Sequence, residues 1–416
     1  MQSGLPLWRR RAFATFWLGE SISFLGSRVT DLALPLTAVL LLGASADQMG
    51  ILTAAGYLPF LVVGLLAGVW VDRFRRRRIL IASDIVSAAA VVTVPLAWSL
   101  GWLRIEQLYV VGFVLGFVSV IWTVAYQSFV PTLVGREDLV EGNAKLETTN
   151  SIGLIVGPSV AGTLVQLVGA PLALLADAGS FVVSAVLLGS IRVTEPPPLP
   201  ESEGRRTTDQ IREGVRLVLG TPILAALVRC GATHNLFSRM IEALFVLYAT
   251  RDLGLSPLLL GLVYAAGGPG ALIGSLVAQR LADRLGVGRV IILMQALTGI
   301  ARLIIPLAGG PVWLTIAVLM ASDFILGMAR TVFNVTQVSL RLAITPDRLH
   351  GRVNATMRFI MWAVTPVGAL VGGFLGASIL GIRTTLLIAA IGVSLATLPV
   401  LLSPLRNLRT APTPMP

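Results

Sequence analysis

The sequence is poor in charge. Only 13% of its 416 residues are Asp, Glu, Lys or Arg, and 55% are hydrophobic, whereas soluble domains carry about 25% charged residues. Residues of redox and metal chemistry are scarce too, with one cysteine, Cys230, and two histidines. A lone cysteine excludes an internal disulfide and a cysteine metal cluster, and we predict no metal site. This composition indicates an integral membrane protein.

Motifs of catalysis and nucleotide binding are also missing. The sequence shows no nucleophile–base pair and no glycine-rich P-loop, so we expect neither an enzyme nor a cofactor, and an ion gradient as the energy source. The net charge of +11 does not indicate nucleic acid. The arginines lie in short loops between apolar runs, where they set topology and attract anionic lipid headgroups.

What the sequence does contain is a series of apolar runs of about 20 residues, the length of a membrane-spanning helix. A polar, proline-rich stretch at 192–220 divides them into two sets of six. We predict an all-α membrane protein of twelve transmembrane helices, with an N-terminal six-helix bundle at 1–191, a cytoplasmic linker at 192–220, and a C-terminal six-helix bundle with a short cytoplasmic tail at 221–416. The predicted spans are 14–42, 50–71, 78–100, 106–134, 145–168, 171–191, 221–250, 258–280, 288–309, 312–341, 353–378 and 383–403.

The two sets repeat one another at a constant offset of 211 residues. The glycine-bounded segment 50–56 matches 261–267, and Asn143 matches Asn354. One register through separated regions predicts two pseudo-symmetric halves, an arrangement in which transporters hold substrate near the bilayer midplane.

A basic loop at 68–78 fixes the orientation, because arginine excess marks the cytoplasmic side of a membrane. With this loop inside, both termini are expected in the cytoplasm, and only Arg104, Arg251 and Arg383 fall on the opposite side.

The same loop resembles the loop 2–3 signature of the major facilitator superfamily of transporters. The matching residues are Gly68, Asp72, Arg73, Arg76 and Arg77. The resemblance implies that Asp72 and Arg73 belong to a conformational latch between the two halves at the cytoplasmic side. The alternative is that the cluster only anchors the topology.

Further segments narrow the resemblance. Residues 18–26, 176–181 and 351–353 look like the branch that contains siderophore exporters and macrolide efflux proteins. The resemblance implies a multi-pass protein of the cell inner membrane, a monomer that exports an amphipathic antibiotic or siderophore against protons by alternating access. The alternatives are a lipid or lysophospholipid flippase of the same fold, and a membrane receptor or scaffold that transports nothing.

The fifth span resembles the antiporter signature of drug-exporting members of the superfamily. Its residues are Gly153, Gly157, Pro158 and Gly162. Small residues at this spacing allow close helix approach, and proline kinks a helix, so packing alone is the competing explanation.

Ionisable and polar side chains inside the spans are the other candidates, because a charge in hydrocarbon is costly and usually faces a cavity or a partner. The proton-coupling candidates are Glu20, Asp31, Glu242 and Asp323. The substrate-cavity candidates are Ser27, Arg28, Trp122, Tyr126, His234, Ser238, Arg239, Arg330, Asn334, Arg358 and Trp362.

Helical spacing is the reason for most of these choices. In the first span Glu20, Ser27 and Asp31 share one face, and Arg28 reaches Asp31 at i,i+3. In the seventh, His234, Ser238 and Glu242 are spaced at i, i+4 and i+8, with Arg239 beside Glu242. The two acid–base pairs serve either proton coupling or permanent charge neutralisation.

The remaining candidates lie on three other spans. In the tenth span Asp323, Arg330, Asn334, Gln337 and Arg341 share one helical face, and in the eleventh Arg358 and Trp362 form a similar row. Trp122, Tyr126 and Phe129 share a face of the fourth span, where they either bind an aromatic substrate or pack. Asp177 in the sixth span is expected to pack helices through a hydrogen bond to a neighbouring backbone, and the alternative is a carboxylate of the cavity.

Overall fold

The computed structural model describes residues 7–64, 70–71, 73–135, 137–193, 195 and 207–409. Within these ranges the long regular elements are all helices, which confirms the all-α class. They are α1 (Arg11–Leu40), α2 (Ala46–Val63), α3 (Arg76–Ser99), α4 (Ile105–Val134), α5 (Leu139–Val168), α6 (Ala170–Ser190), α7 (Thr207–Gly220), α8 (Pro222–Leu247), α9 (Pro257–Ala265), α10 (Gly267–Leu285), α11 (Val287–Ile304), α12 (Val312–Ile344), α13 (His350–Ala363), α14 (Thr365–Ala377), α15 (Gly381–Leu395) and α16 (Leu398–Leu401).

Ten helical stretches in the described residues are long and apolar enough to cross a membrane, and α7 with α8, bent by 99°, make an eleventh if the pair is one broken span. Helix α1 is not among them, although it is 30 residues long, because Glu20, Arg28 and Asp31 interrupt its apolar run. The membrane class is therefore confirmed, while the count of twelve stays a prediction.

Glycine ends several helices by adopting a backbone conformation that other residues avoid. Gly169 follows α5 with φ of 85°, and Gly286 follows α10 with φ of 89°. Without a Cβ, glycine enters this left-handed region at no steric cost. The chain can therefore turn sharply into the next helix at both positions.

Helix contacts divide the chain into two compact units. The first contains Met1–Ala44, Ala55–Ser202 and Ser256–Ala265, and the second contains Ser45–Ala54, Glu203–Leu255 and Ala266–Pro416. Each unit thus takes in a short segment of the other predicted half, so the predicted boundaries at 191 and 221 remain predictions.

The repeat is present in the helix packing of each unit. In the second unit, a Cβ built on Gly50 would lie 2.7 Å from Cα of Gly373, and in the first a Cβ on Gly162 would lie 3.0 Å from Cα of Gly261. The offset of 211 residues relates Gly50 to Gly261 and Gly162 to Gly373. The same close helix crossing therefore occurs twice.

Candidate functional site

The polar face of α1 carries the acid–base pair that its spacing predicts. Nη1 of Arg28 lies 2.9 Å from Oδ2 of Asp31, and the guanidinium lies 4.5 Å from the ring centre of Phe24. Asp31 is 63% exposed at its side chain and Arg28 27%, while Ser27 is half-buried one position before the arginine. The pair is therefore accessible at its acidic end.

The glycines of the antiporter-type helix create the surface on which Arg28 rests. A Cβ on Gly157 would lie 2.6 Å from Cγ of Arg28, and one on Gly153 would lie 2.8 Å from Cδ1 of Phe24. Helix α5 runs without interruption through Pro158, and Gly162 meets Gly261 as described. These small residues let α5 approach α1, while the antiport role implied by the resemblance stays a prediction.

Glu20 on α1 is buried, and its charge interacts with that of a second buried carboxyl group, Asp84 on α3. Sequence reasoning missed Asp84. The available signal was a polar group, Ser83, Asp84 and Ser87, inside the apolar run of the third predicted span, and all three side chains are buried.

Asp177 on α6 joins α6 to α1 through side chains. The Thr30 hydroxyl donates to Oδ2 of Asp177, and the Ser180 hydroxyl donates to Oδ1 at 3.0 Å. We expected a neighbouring backbone as the partner; the partners are hydroxyl groups instead, because α6 approaches α1 closely at Gly26, where a Cβ would lie 2.7 Å from Oδ1 of Asp177. The packing role is consistent with these contacts.

An aromatic cluster lies between α1 and α4. The ring centres of Trp122 and Tyr126 are 4.7 Å apart, and Tyr126 stacks on Phe16 at 5.8 Å. Phe129 is fully buried against Phe16 at 5.5 Å, whereas Trp122 and Tyr126 are half-buried. Phe129 therefore packs, and the two half-buried rings retain accessible surface.

In the second unit, α8 carries the corresponding acid–base pair. Arg239 forms an ion pair with Glu242, whose side chain is 45% exposed. His234 contacts Ser238 through Nε2 at 3.3 Å and the Gln295 amide through Nδ1 at 3.3 Å. Because the amide nitrogen is a donor, Nδ1 accepts, and Nε2–H donates to Ser238.

Gln295 of α11, which sequence reasoning missed, anchors this histidine. Its side chain is 3% exposed and also donates to the carbonyl oxygen of Val393 at 3.2 Å. The only feature of the sequence that could have indicated this role is that Gln295 is a lone polar residue in an apolar run.

Helix α12 does not present a uniform polar face. Arg330 and Asn334 are exposed, whereas Gln337 is buried on the same side of the helix. Asp323 is half-buried and interacts with the charge of Arg302 on α11. Neighbouring helices thus cover one part of the predicted polar face and leave another part open.

Helix α13 holds the last two substrate-cavity candidates. Arg358 is exposed and Trp362 is half-buried. Asn235 of α8 donates to the carbonyl oxygen of Met361 at 2.7 Å, which fixes α13 against α8 beside Trp362.

The expected latch is described only in part, because Gly68 and Asp72 lie outside the described residues. The carboxylate of Glu195 accepts the backbone N–H of Arg76 at 2.7 Å and of Arg77 at 3.2 Å. The Arg77 side chain donates to the carbonyl oxygen of Leu188 at 2.7 Å, and Arg73 is exposed. The start of α3 is therefore bound to the end of α6 within the first unit.

Among the described residues no group of three or more His, Cys, Asp or Glu side chains is placed to hold a metal ion. The polar groups of the two units include ion pairs, hydroxyls, amides and buried carboxyls.

Known proteins with similar sequences are exporters. The chain is 30% identical over 412 residues to the multidrug efflux pump Tap of Mycolicibacterium fortuitum, covering 94% of this chain and 95% of Tap. It is 28% identical over 376 residues to the enterobactin exporter EntS of Escherichia coli O1:K1 / APEC, covering 89% and 84%.

Solved structures share the fold at low identity. A bacterial homologue of the iron transporter ferroportin, in an inward-facing state, matches with a TM-score of 0.71 at 17% identity, covering 94% of this chain and 98% of that one. The nucleoside transporter NupG matches with a TM-score of 0.74 at 11% identity, covering 94% and 98%. The model of the transmembrane secretion effector family matches residues 2–414. The chain therefore belongs to the transmembrane secretion effector family of the major facilitator superfamily.

Proposed function

We propose that the protein is a secondary active exporter that moves amphipathic small molecules, a drug or a siderophore, out of the cell in exchange for protons by alternating access. The observation that carries this proposal is the similarity over nearly the whole chain to a multidrug efflux pump and to an enterobactin exporter. The match covers 94% of this chain for the first exporter and 89% for the second, so it is not confined to one helix or motif.

Aromatic and charged groups of the first unit supply the contacts that an amphipathic cargo needs. The accessible surface that Trp122 and Tyr126 retain suits an apolar group, and the ion pair of Arg28 with Asp31 suits its polar part. In the second unit His234, Ser238, Arg330, Asn334, Arg358 and Trp362 are the corresponding cargo candidates, and Arg239 holds Glu242.

Carboxyl groups in both units are the candidates for proton exchange. Glu20 and Asp31 lie in the first unit, and Glu242 and Asp323 in the second. Asp and Glu side chains inside membrane-spanning segments are common members of proton relays in pumps and transporters. We further propose that the protein acts as a monomer in the inner membrane, surrounded by lipid, with both termini in the cytoplasm.

Transport in inverted membrane vesicles tests this function. In such vesicles the lumen corresponds to the cell exterior, so an acidic lumen drives protons out and an exported cargo in. We expect ethidium or enterobactin, offered separately, to accumulate only when the lumen is acidic. A protonophore should abolish the accumulation.

Two results would contradict the proposal. Accumulation that is indifferent to the pH gradient would reject proton antiport. Movement of a fluorescent lysophospholipid between leaflets, with no accumulation of either solute, would indicate a flippase instead. Vesicles that lack the protein provide the baseline for both measurements.

A further inference from the structure

Three buried oxygen atoms on three helices of the first unit have no hydrogen-bond partner. They are Oε1 of Glu20 on α1, Oδ2 of Asp84 on α3 and Oγ of Ser184 on α6, each with less than 1 Å² of exposed surface. Glu20 is 9% exposed, Asp84 2% and Ser184 1%. Buried polar atoms in folded proteins are almost always paired, so three unpartnered oxygens on three packed helices mark a polar cluster whose groups require a hydrogen-bond donor.

These atoms belong to one cluster. The charges of Glu20 and Asp84 interact, and the Ser184 hydroxyl lies beside the Asp84 carboxyl without making a hydrogen bond of normal geometry. A Cβ on Gly19, next to Glu20, would lie 3.6 Å from Cα of Ser184. Glu20 and Asp84 are called the carboxyl pair below.

The arginines of the first unit with described ion pairs are engaged elsewhere. Arg28 is bound to Asp31 at 2.9 Å and Arg10 to Asp138 at 2.7 Å. Among the described residues, no side-chain nitrogen of an arginine or lysine lies within 4.0 Å of a carboxylate oxygen of Glu20 or Asp84.

The other ionisable groups around the carboxyl pair are acidic or phenolic. Asp177 on α6 interacts with Asp84 and with Asp31. Tyr126 on α4 interacts with Glu20 and with Glu147 on α5. Two buried carboxylates whose charges interact, with no described cation within 4.0 Å, cannot both be charged without a large penalty.

A proton relieves both problems at once. Bound to one of the unpartnered carboxylate oxygens, it removes one of the two interacting negative charges and turns that oxygen into an O–H donor. The Ser184 hydroxyl is within reach to provide a second donor.

We propose that the carboxyl pair of Glu20 and Asp84 holds the exchanged proton and that Ser184 positions Asp84, an inference that rests on the proton antiport proposed above. The proton forms an O–H bond with one carboxylate oxygen of the pair and passes to water when that bond breaks. Asp31, paired with Arg28, then acts as an ion-pair partner rather than as the proton carrier.

Infrared difference spectroscopy tests the proton site without any cargo. Purified protein in lipid nanodiscs is cycled between alkaline and acidic buffer, and the carbonyl stretch of protonated carboxyl groups is recorded. We expect one component of this band to be lost in both Glu20→Gln and Asp84→Asn, and to shift in frequency in Ser184→Ala.

Asp177→Asn is the matched control, because Asp177 is equally buried but has a hydrogen-bond donor at each carboxyl oxygen. It should leave the component in place. Survival of the component in both Glu20→Gln and Asp84→Asn, or its loss in Asp31→Asn, would overturn the assignment. If either neutral variant fails to fold, the charged variants Glu20→Asp and Asp84→Glu replace them, and each should shift the frequency of the component. An unchanged frequency in both would also overturn the assignment of the proton site.

Two further measurements distinguish a failure of the proton-site assignment from a failure of the proposed exporter function. Loss of the component on adding Na⁺ at constant pH would overturn the proton assignment in favour of a metal cation. The spectrum needs no transport, so a wild-type protein with the component but without gradient-driven ethidium movement would reject the exporter function alone. Gradient-driven movement without the component would reject the proton site alone.

Discussion

At the scale of single residues, Arg28 is fixed by three different kinds of contact. It pairs with Asp31, lies over the ring of Phe24 and rests on the bare backbone of Gly157. An ion pair whose acid is largely exposed contributes only about 0–1 kcal/mol to stability. The main effect of the ion pair is therefore to hold the Arg28 guanidinium in position, together with the ring of Phe24 and the backbone of Gly157.

Asp31→Asn separates this positioning role from proton exchange. The free energy of unfolding of the variant should lie within about 1 kcal/mol of the wild-type value, because the acid of the lost ion pair is largely exposed. We expect ethidium accumulation to need a higher concentration for half-maximal rate while still requiring an acidic lumen. Thermal unfolding and vesicle uptake measure the two effects. A stable variant whose uptake no longer depends on pH would assign coupling to Asp31.

Gly157→Ala should displace Arg28 from the side of α5. The new Cβ would lie 2.6 Å from Cγ of Arg28, and overpacking of this kind typically costs about 1–3 kcal/mol. We expect a lower melting temperature together with weaker ethidium binding, measured by fluorescence.

Gly179→Ala is the control for that substitution. Gly179 lies in α6, and a Cβ there would meet nothing within 4 Å, so alanine should be neutral or stabilise by about 1 kcal/mol through helix propensity. Equal melting temperatures for the two variants would contradict the proposed contact with Arg28.

At the scale of elements, α3 begins with a cap supplied from a distant part of the chain. Its first N–H groups have no partner within the helix, and Glu195 accepts two of them. A carboxylate at a helix N-terminus is also favoured by the helix dipole. The residues after α6 thus define where the basic loop ends and α3 starts.

Removing this cap gives a local prediction. Glu195→Ala should destabilise the start of α3 by about 0.5–2 kcal/mol, the usual range for a lost helix cap. Hydrogen exchange of the Arg76 and Arg77 amides should accelerate while the centre of α3 stays protected. Glu141→Ala, which removes only an exposed i,i+4 contact to Lys145 at 3.5 Å, is the control. Unchanged exchange at Arg76 would contradict the cap.

Sequence reasoning predicted what depends on periodicity and missed what depends on the approach of distant helices. The i,i+3 pairs of Arg28 with Asp31 and Arg239 with Glu242 follow from local spacing, and both form. Asp84 was missed, because a single aspartate in an apolar run gives no hint that Glu20, on another helix, lies beside it. Its partner is defined only when the helices pack.

At the scale of the whole molecule, the repeat is the feature that the sequence predicted best. A second pair of crossings supports it: a Cβ on Gly116 would contact the carbonyl oxygen of Gly56, and one on Gly327 would contact that of Gly267. These pairs are again related by 211 residues. The number of spans was less predictable, because polar residues of α1 obscure its apolar character and α7 is bent sharply from α8.

Equivalent glycines should therefore respond alike to substitution. Gly50→Ala would place a Cβ 2.8 Å from the carbonyl oxygen of Ala369, and Gly261→Ala would place one 3.0 Å from Cα of Gly162. Backbone atoms cannot move aside as side chains do, so each change should cost about 1–3 kcal/mol. We expect both variants to lower the melting temperature by similar amounts.

Gly351→Ala, at a helical position where a Cβ would meet nothing within 4 Å, is the control for this pair and should leave the melting temperature near that of wild type. A large loss at Gly50 with none at Gly261 would show that the two crossings are not energetically equivalent. The two halves would then share sequence and backbone structure, but the equivalent crossings would contribute differently to the free energy of unfolding. Equal losses would mean that each unit depends to the same degree on the short segment, 45–54 or 256–265, that it takes in from the other predicted half.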